Sequence, residues 1–213
     1  MKQSAPMEDQ EKQEFIESQN VSRETIGKLE RYAKMLGEWN LKFNLIAEST
    51  FPHIWRRHFL DSAQFRKLIP PEAVTIADLG SGAGLPGLVL SIMGVSGLHL
   101  IESIGKKARF LQAVIDDLKL DATVLHMRVE SIHNMKFDVV TARALKPLPQ
   151  LLKLANPLMH KDSLCVFLKG RQLKDELTEA GKYWKFNAET FQSLSDHSGS
   201  VLTIRNLKPG RIS

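Results

Sequence analysis

Three glycines at alternate positions, Gly80, Gly82 and Gly84, follow Asp78 at the end of a short β-rich run, Val74-Thr-Ile-Ala77, and lead into the apolar helical run Leu88-Val-Leu-Ser-Ile-Met93. Glycine carries no Cβ, so a loop of this kind can turn tightly and bring its backbone close to a ligand. A strand, a glycine loop and a helix in that order make a βα unit of an open α/β sheet. Ligands of such sheets bind in the crevice outside the carboxyl ends of the strands. The spacing therefore predicts a binding site at Asp78–Gly84, whatever the ligand.

The remaining sequence extends this pattern. Further strands are predicted at Leu98–Ile101, Thr123–His126, Phe137–Thr141 and Leu164–Leu168, with helices over 105–118, 147–159 and 171–184. The alternation predicts a doubly wound, mostly parallel α/β sheet of Rossmann-like form. Ala188–Phe191 and Val201–Arg205, separated by a Ser/Asp/Gly loop, predict a C-terminal hairpin that completes the sheet antiparallel. Upstream, Ser22 and Glu24 open an amphipathic helix with Ile26, Leu29, Tyr32, Ala33, Leu36 and Trp39 on one stripe. A second helical stretch, from Ile54 to Leu68, stops at Pro70-Pro71, which cannot continue a helix. A chain of 213 residues suits one large core with a small appendage. The expected organisation is a helical extension over 1–70 packed on a ligand-binding domain over 71–213.

Lysine and arginine outnumber aspartate and glutamate by 29 to 24, a mild excess that suits a polyanionic partner. Cys165 is the only cysteine and stands in the apolar run Leu164–Leu168, which excludes an intrachain disulfide and predicts a buried structural thiol. Met1–Gln19 is polar, without an apolar signal region, and its first residues are expected to be disordered. The expected setting is cytoplasmic, with no membrane span. The seven histidines lack metal-ligand spacing, so no metal site is expected.

Residue patterns alone leave two ligands open. Gly82-Ala-Gly84-Leu-Pro-Gly87 satisfies the dinucleotide fingerprint, and Glu102 follows at a distance suited to ribose hydroxyls. Against a diphosphate stand the acidic Asp78 before the glycines and Pro86, which removes a donor from the first helical turn. S-adenosylmethionine meets both conditions, with Glu102 on the ribose and Asp78 near the cationic methionine end. A small-molecule methyltransferase and a nicotinamide enzyme stay open on this ground.

Longer motifs add to the glycine loop: Trp39-Asn-Leu-Lys-Phe-Asn-Leu45, His58-Phe-Leu-Asp-Ser62, Glu102-Ser-Ile-Gly-Lys-Lys107, Phe110, Arg128-Val-Glu130, Arg143-Ala144 and Lys169-Gly170. In this order, from Trp39 to Gly170, the chain resembles the RsmG (GidB) family. It departs from that pattern at Ile46, Ala142, Met127 and Ser131. The resemblance implies a class I S-adenosylmethionine methyltransferase that modifies N7 of one guanine in the decoding-region loop of 16S ribosomal RNA. The implied partner is that RNA, the 30S subunit or an assembly intermediate, and the protein is expected to act as a monomer.

Carried over by motif, the resemblance implies that Asp78, Gly80, Gly82, Gly84, Leu85, Glu102, Val129, Glu130 and Arg143 bind the cofactor. Arg143 is expected at the reacting end, with Lys106 and Lys169 as further donors to guanine O6 or a phosphate. Asn44, His58 and Asp61 are expected on the substrate side, although Asn40 and Asn44 also suit a helix end. The aromatics Phe43, Phe51, Trp55 and Phe59 recur at helical spacing and are read as packing. Guanine N7 carries a free lone pair at neutral pH, so no general base is expected and positioning carries the reaction.

Overall fold

The computed structural model describes residues 5–210, and the expected disorder at the first residues falls outside them apart from helix α1 (Ala5–Gln19). Helix α2 (Arg23–Phe43) starts where the Ser22 hydroxyl accepts the Thr25 amide at 3.1 Å. It ends at Asn44, whose left-handed backbone (φ 49°) turns its amide onto the Asn40 carbonyl. Asn40 in turn accepts the Ile46 amide through its carboxamide oxygen at 2.9 Å. Both asparagines thus close the helix.

The single helix predicted from Ile54 to Leu68 is instead a series of short turns of changing pitch. A 3₁₀ turn (Glu48–His53) and a π turn (Trp55–Leu60) lead to α3 (Asp61–Ala63) and a second 3₁₀ turn (Gln64–Leu68). Trp55 and Phe59 meet edge to face at 5.1 Å, and Phe15 reaches Trp55 at 5.5 Å. The predicted packing role of these aromatics is what the extension uses to hold its turns together.

Seven strands form one sheet: β1 (Ile76–Leu79), β2 (Leu98–Ile101), β3 (Ala122–Leu125), β4 (Phe137–Arg143), β5 (Met159–Lys169), β6 (Trp184–Gln192) and β7 (Ser200–Pro209). Their order is β3-β2-β1-β4-β5-β7-β6, with β1 to β5 parallel and β7 antiparallel to both β5 and β6. The chain moves outward from β1 to β3 and then returns to β4 on the other side of β1. The crevice therefore opens above β1 and β4, where the glycine loop lies.

Helices α4 (Gly87–Ile92) and α5 (Gly105–Leu118) share one apolar cluster with the extension, through Phe15, Tyr32, Phe59, Leu88 and Phe110. Helices α6 (Leu148–Ala155) and α7 (Leu173–Gly181) belong to a second cluster with Leu79, Val140 and Phe167. Cys165 is fully buried in that second cluster, as its neighbours predicted. The extension thus packs on the sheet domain through the first cluster, to which Ala83 and Leu85 of the glycine loop also belong.

Several boundaries differ from the sequence reading. The helix predicted over 147–159 ends at Ala155, because Asn156–Leu158 tightens into a 3₁₀ turn around Pro157 and β5 already begins at Met159. The helix predicted over 171–184 spans only Leu173–Gly181, and Trp184 opens β6. β1 starts two residues later than predicted, since the amides of Val74 and Thr75 donate to the Asp138 carboxylate, each at 2.8 Å. The shift puts Asp78 inside the strand rather than at its end.

Asp138 also accepts the Thr75 hydroxyl at 3.1 Å and faces His160 at 3.0 Å. The Thr75 and Val74 amides hold its carboxyl down to about 2, against an ordinary 3.8. A depressed carboxyl stabilises the fold above the unfolded value and loses that effect as pH falls through the folded one. Asp138→Ala should cost about 1–2 kcal/mol at pH 7, the lower part of the range for hydrogen bonds to a charged acceptor because the site is partly exposed. Urea titrations should show the gap between wild type and variant closing between about pH 4 and pH 2.

Candidate active site

Gly80, Gly82 and Gly84 all adopt left-handed backbone, at φ 63°, 57° and 91°. The loop is fixed from three sides. The Ser81 hydroxyl donates to the Asp78 carbonyl at 2.9 Å, and the Ser81 amide donates to Ile101 at 3.1 Å. From the extension, the buried Tyr32 hydroxyl donates to the Ala83 carbonyl at 2.5 Å. Burial raises the Tyr32 phenol far above its ordinary range, so it stays a donor.

Asp78 is fully buried beneath the loop. Its carboxylate accepts the Thr141 hydroxyl at 2.9 Å and the Gly87 amide at 3.3 Å. Burial pushes its pKa up to about 6, with hydrogen bonds opposing the rise. A Cβ on Gly87 would stand 2.2 Å from Leu100 and 2.8 Å from this carboxylate, so only glycine allows the approach. Asp78 thereby organises the entry to α4 from below.

Glu102 stands just past the end of β2 and is almost wholly buried. One carboxylate oxygen accepts the Gly82 amide at 2.9 Å and the other the Ile104 amide at 2.7 Å. Each oxygen has a further acceptor site, so the group can also take hydroxyl donors. Over Gly82 only the Gly80 carbonyl lies within 4 Å of a hypothetical Cβ, which leaves that side of the loop open. At Gly80 the Leu145 side chain covers the loop, 2.5 Å from where a Cβ would be, and Ala144 before it is left-handed at φ 51°. Leu85 is buried with the loop's apolar side.

Val129 and Glu130 form a 3₁₀ turn beyond β3 and line a cavity of about 510 Å³ with Ile132, Lys146 and Gln150. This is a mixed apolar and polar wall beyond the carboxyl end of β3, the strand next to β2 and hence to Glu102 in the sheet.

Arg143 ends β4 and is held by the extension. Its Nη1 donates to the Arg57 carbonyl at 3.0 Å and to Asp61 Oδ2 at 3.1 Å, and its Nη2 donates to His58 Nδ1 at 2.8 Å. His58 Nε2 meets Thr50 Oγ1 at 2.8 Å. That hydroxyl already donates to Ala47 at 2.7 Å, so it accepts here and His58 carries its proton on Nε2. Burial, with Arg143 and Arg57 nearby, lowers His58 to about 3, which keeps it neutral. Burial raises the Asp61 carboxyl, while Ser195 and Arg143 oppose the shift.

The structure thus gathers His58, Asp61 and Arg143 into one cluster. Lys169, at the end of β5, pairs with Glu176 at 2.5 Å and donates to the Lys146 carbonyl at 3.0 Å. Lys106 is exposed at the start of α5, 5.8 Å from the Phe43 ring centroid. Among the described residues no hydrogen bond joins Lys106 or Asn44 to the Arg143 cluster. Asn44 serves as the helix cap.

Sequence reasoning missed Tyr32, Thr141, Gln64, Ser195 and Glu176. Tyr32 lay on an apolar stripe and Thr141 inside a strand, where nothing distinguished them from packing residues. Ser195 sat in a loop read only as a turn, yet its hydroxyl donates to Asp61, and Gln64 accepts the Leu194 amide at 3.0 Å.

The open face of Gly82, the Glu102 carboxylate and the cavity beside Val129 fit an adenosyl group. The switch-point crevice, this loop and the acidic residue after β2 define a class I S-adenosylmethionine-dependent methyltransferase. An MtNAS variant in complex with S-adenosylmethionine shares the fold, with TM-score 0.58 and 16% identity, covering 85% of this chain and 76% of that one. A tRNA methyltransferase from Aquifex aeolicus has TM-score 0.56 and 15% identity, covering 70% of this chain and 69% of that one. The model of the family described as rRNA small subunit methyltransferase G matches residues 25–204. A ribosomal RNA small subunit methyltransferase G from Paramagnetospirillum magneticum is 44% identical over 199 residues, 93% of this chain and 97% of that protein. The chain belongs to the rRNA small subunit methyltransferase G family.

Among the described residues no helix is long and apolar enough to cross a membrane. No group of three or more potential metal ligands occurs among them either.

Proposed function

We propose that this protein methylates N7 of a single guanine in the decoding-region loop of 16S ribosomal RNA, in the cytoplasm and as a monomer. The supporting observation is the Arg143 cluster, which stands at the carboxyl end of β4 beside the cofactor crevice in a chain of this family. S-adenosylmethionine, when bound, supplies an electrophilic methyl group on a cationic sulfur. Gly80, Gly82, Gly84, Leu85, Glu102, Val129 and Glu130 would hold it, with Asp78 ordering the loop from beneath.

The residues at the reacting end fit an attacking group that needs no base. His58 is neutral and has both ring nitrogens engaged, so neither is poised to take a proton. A guanidinium has five donors, and the three contacts of Arg143 leave two to orient an acceptor such as guanine O6. The chain's own work is then to position the base and exclude water. The extension over 1–70 contributes His58 and Asp61 to the domain over 71–213. Unmodified 30S particles incubated with this protein and isotope-labelled S-adenosylmethionine should yield one labelled N7-methylguanosine in digests of their RNA. Label at another atom or nucleotide, or none despite proven cofactor binding, would overturn the assignment.

A further inference from the structure

The loop between β6 and β7 is tied to the extension and closes a second cavity. Besides the Asp61 and Gln64 contacts, the Ser195 carbonyl accepts Arg56 Nε at 3.3 Å, and Gln64 Nε2 donates to Ser193 Oγ at 3.3 Å. The cavity holds about 260 Å³ and is lined by Asp61, Arg143, Lys169, Ser193, Asp196 and Gly199, among others. Cations stand on one side of it, at the ends of β4 and β5, and Asp196 stands on the β7 side.

The two carboxylates differ in availability. Asp61 has both oxygens engaged, by Ser195 and by Arg143. Asp196 uses Oδ1 for the Ser198 amide and hydroxyl, both at 2.8 Å, and among the described residues Oδ2 has no hydrogen bond. Those Ser198 contacts hold its pKa below the ordinary value, so the free oxygen is an acceptor at neutral pH.

The order of groups along the sheet runs from the glycine loop above β1, through Arg143 on β4 and Lys169 on β5, to Asp196 beside β7. Guanine presents its groups in a matching order around the ring: N7, then the O6 acceptor, then the N1–H and N2–H donors. From β4 to β7 is two strand spacings, roughly 10 Å, which spans a purine with a hydrogen bond at each end. Adenine would set its N6 amino group against the cations and an N1 acceptor toward the carboxylate.

Resting on the guanine-N7 reading above, we infer that this cavity is the base pocket and that Asp196 selects guanine by accepting its N1–H and N2–H donors. The β6–β7 loop is then a specificity element, and Asp61 positions it through Ser195.

Asp196→Asn separates this role from a turn role. The carboxamide oxygen can still accept from Ser198, while its NH₂ faces the guanine donors. With unmodified 30S particles, kcat/KM should fall on the order of tenfold, with the unfolding midpoint and the S-adenosylmethionine affinity by calorimetry both unchanged. In particles reconstituted with inosine at the target, which lacks the N2 amino group, wild type should slow several-fold and the gap to Asp196→Asn should narrow. Ser198→Ala, which takes the hydroxyl from Asp196 Oδ1 but leaves the Ser198 amide on it and Oδ2 free, should stay within about threefold of wild type. If Asp196→Asn transfers methyl to guanine at the wild-type rate, or the inosine substitution leaves the gap intact, Asp196 does not read the base. Absence of transfer by the wild-type protein itself would instead remove the underlying guanine-N7 reading.

Discussion

Arg143→Ala should lower methyl transfer on the order of 10³-fold, because it removes the pre-aimed donor from the proposed reacting end. The side chain is 14% exposed and its partner Asp61 15%, so the pair is mostly withdrawn from water. Deleting the arginine leaves Asp61 buried without its cation and His58 without its Nη2 donor. Breaking a pair of this kind costs about 2–3 kcal/mol, below the value for full burial. The Asp61 carboxyl, already raised by burial, would rise further. Stability and activity can therefore be separated. Asp61→Asn added to Arg143→Ala removes the stranded charge and should recover much of the unfolding midpoint without recovering transfer. Calorimetry should show S-adenosylmethionine binding retained within about tenfold in the stabilised double variant. If Arg143→Ala turns over at a near-normal rate, the reacting end lies elsewhere.

Glu102→Gln should weaken S-adenosylmethionine binding on the order of 100-fold. The carboxylate accepts the Gly82 and Ile104 amides through its two oxygens. A glutamine can serve only one of them, since its NH₂ would face the other donor. Each hydrogen bond to a charged acceptor is worth about 1.5–3 kcal/mol. The change strikes both the loop's shape and the acceptor proposed for the ribose. Calorimetric titration reads it directly: an affinity within about threefold of wild type would show that Glu102 serves the loop and not the cofactor. Asp78, which lies under the loop, should by contrast act mainly through stability.

The layers of the fold were legible because apolar periodicity and glycine chemistry are local. The Gly80–Gly84 loop, the alternating strands and the final hairpin all announce themselves within a few residues. Strand edges were less legible where distant groups decide them, as at Val74 and Thr75, whose amides are claimed by Asp138 more than sixty positions away. The cluster around Arg143 was partly visible, since the family resemblance marked His58, Asp61 and Arg143. Their roles were not, because they depend on which oxygen meets which donor. Lys169 illustrates the point: its place at the end of β5 suited substrate contact, yet Glu176 and the Lys146 carbonyl take two of its three donors. Asn44 carries the family motif and also closes α2, and only the backbone geometry shows that second use. Ser195 and Gln64 could not be found from the sequence at all, as their meaning lies in a contact across some 130 positions.

That long-range contact has a consequence for how the protein comes into being. Asp61 leaves the ribosome well before its partner Ser195, 134 residues later. At about 5–20 residues per second, roughly 7 to 27 seconds separate the synthesis of Asp61 from that of Ser195. Arg143 itself follows Asp61 by 82 residues, so once the cluster's members exist its outer wall is still missing, while the chain is attached to the very kind of particle it is proposed to modify. If that pocket holds the base, it is complete only once the last hairpin has docked, when synthesis of the chain is nearly finished.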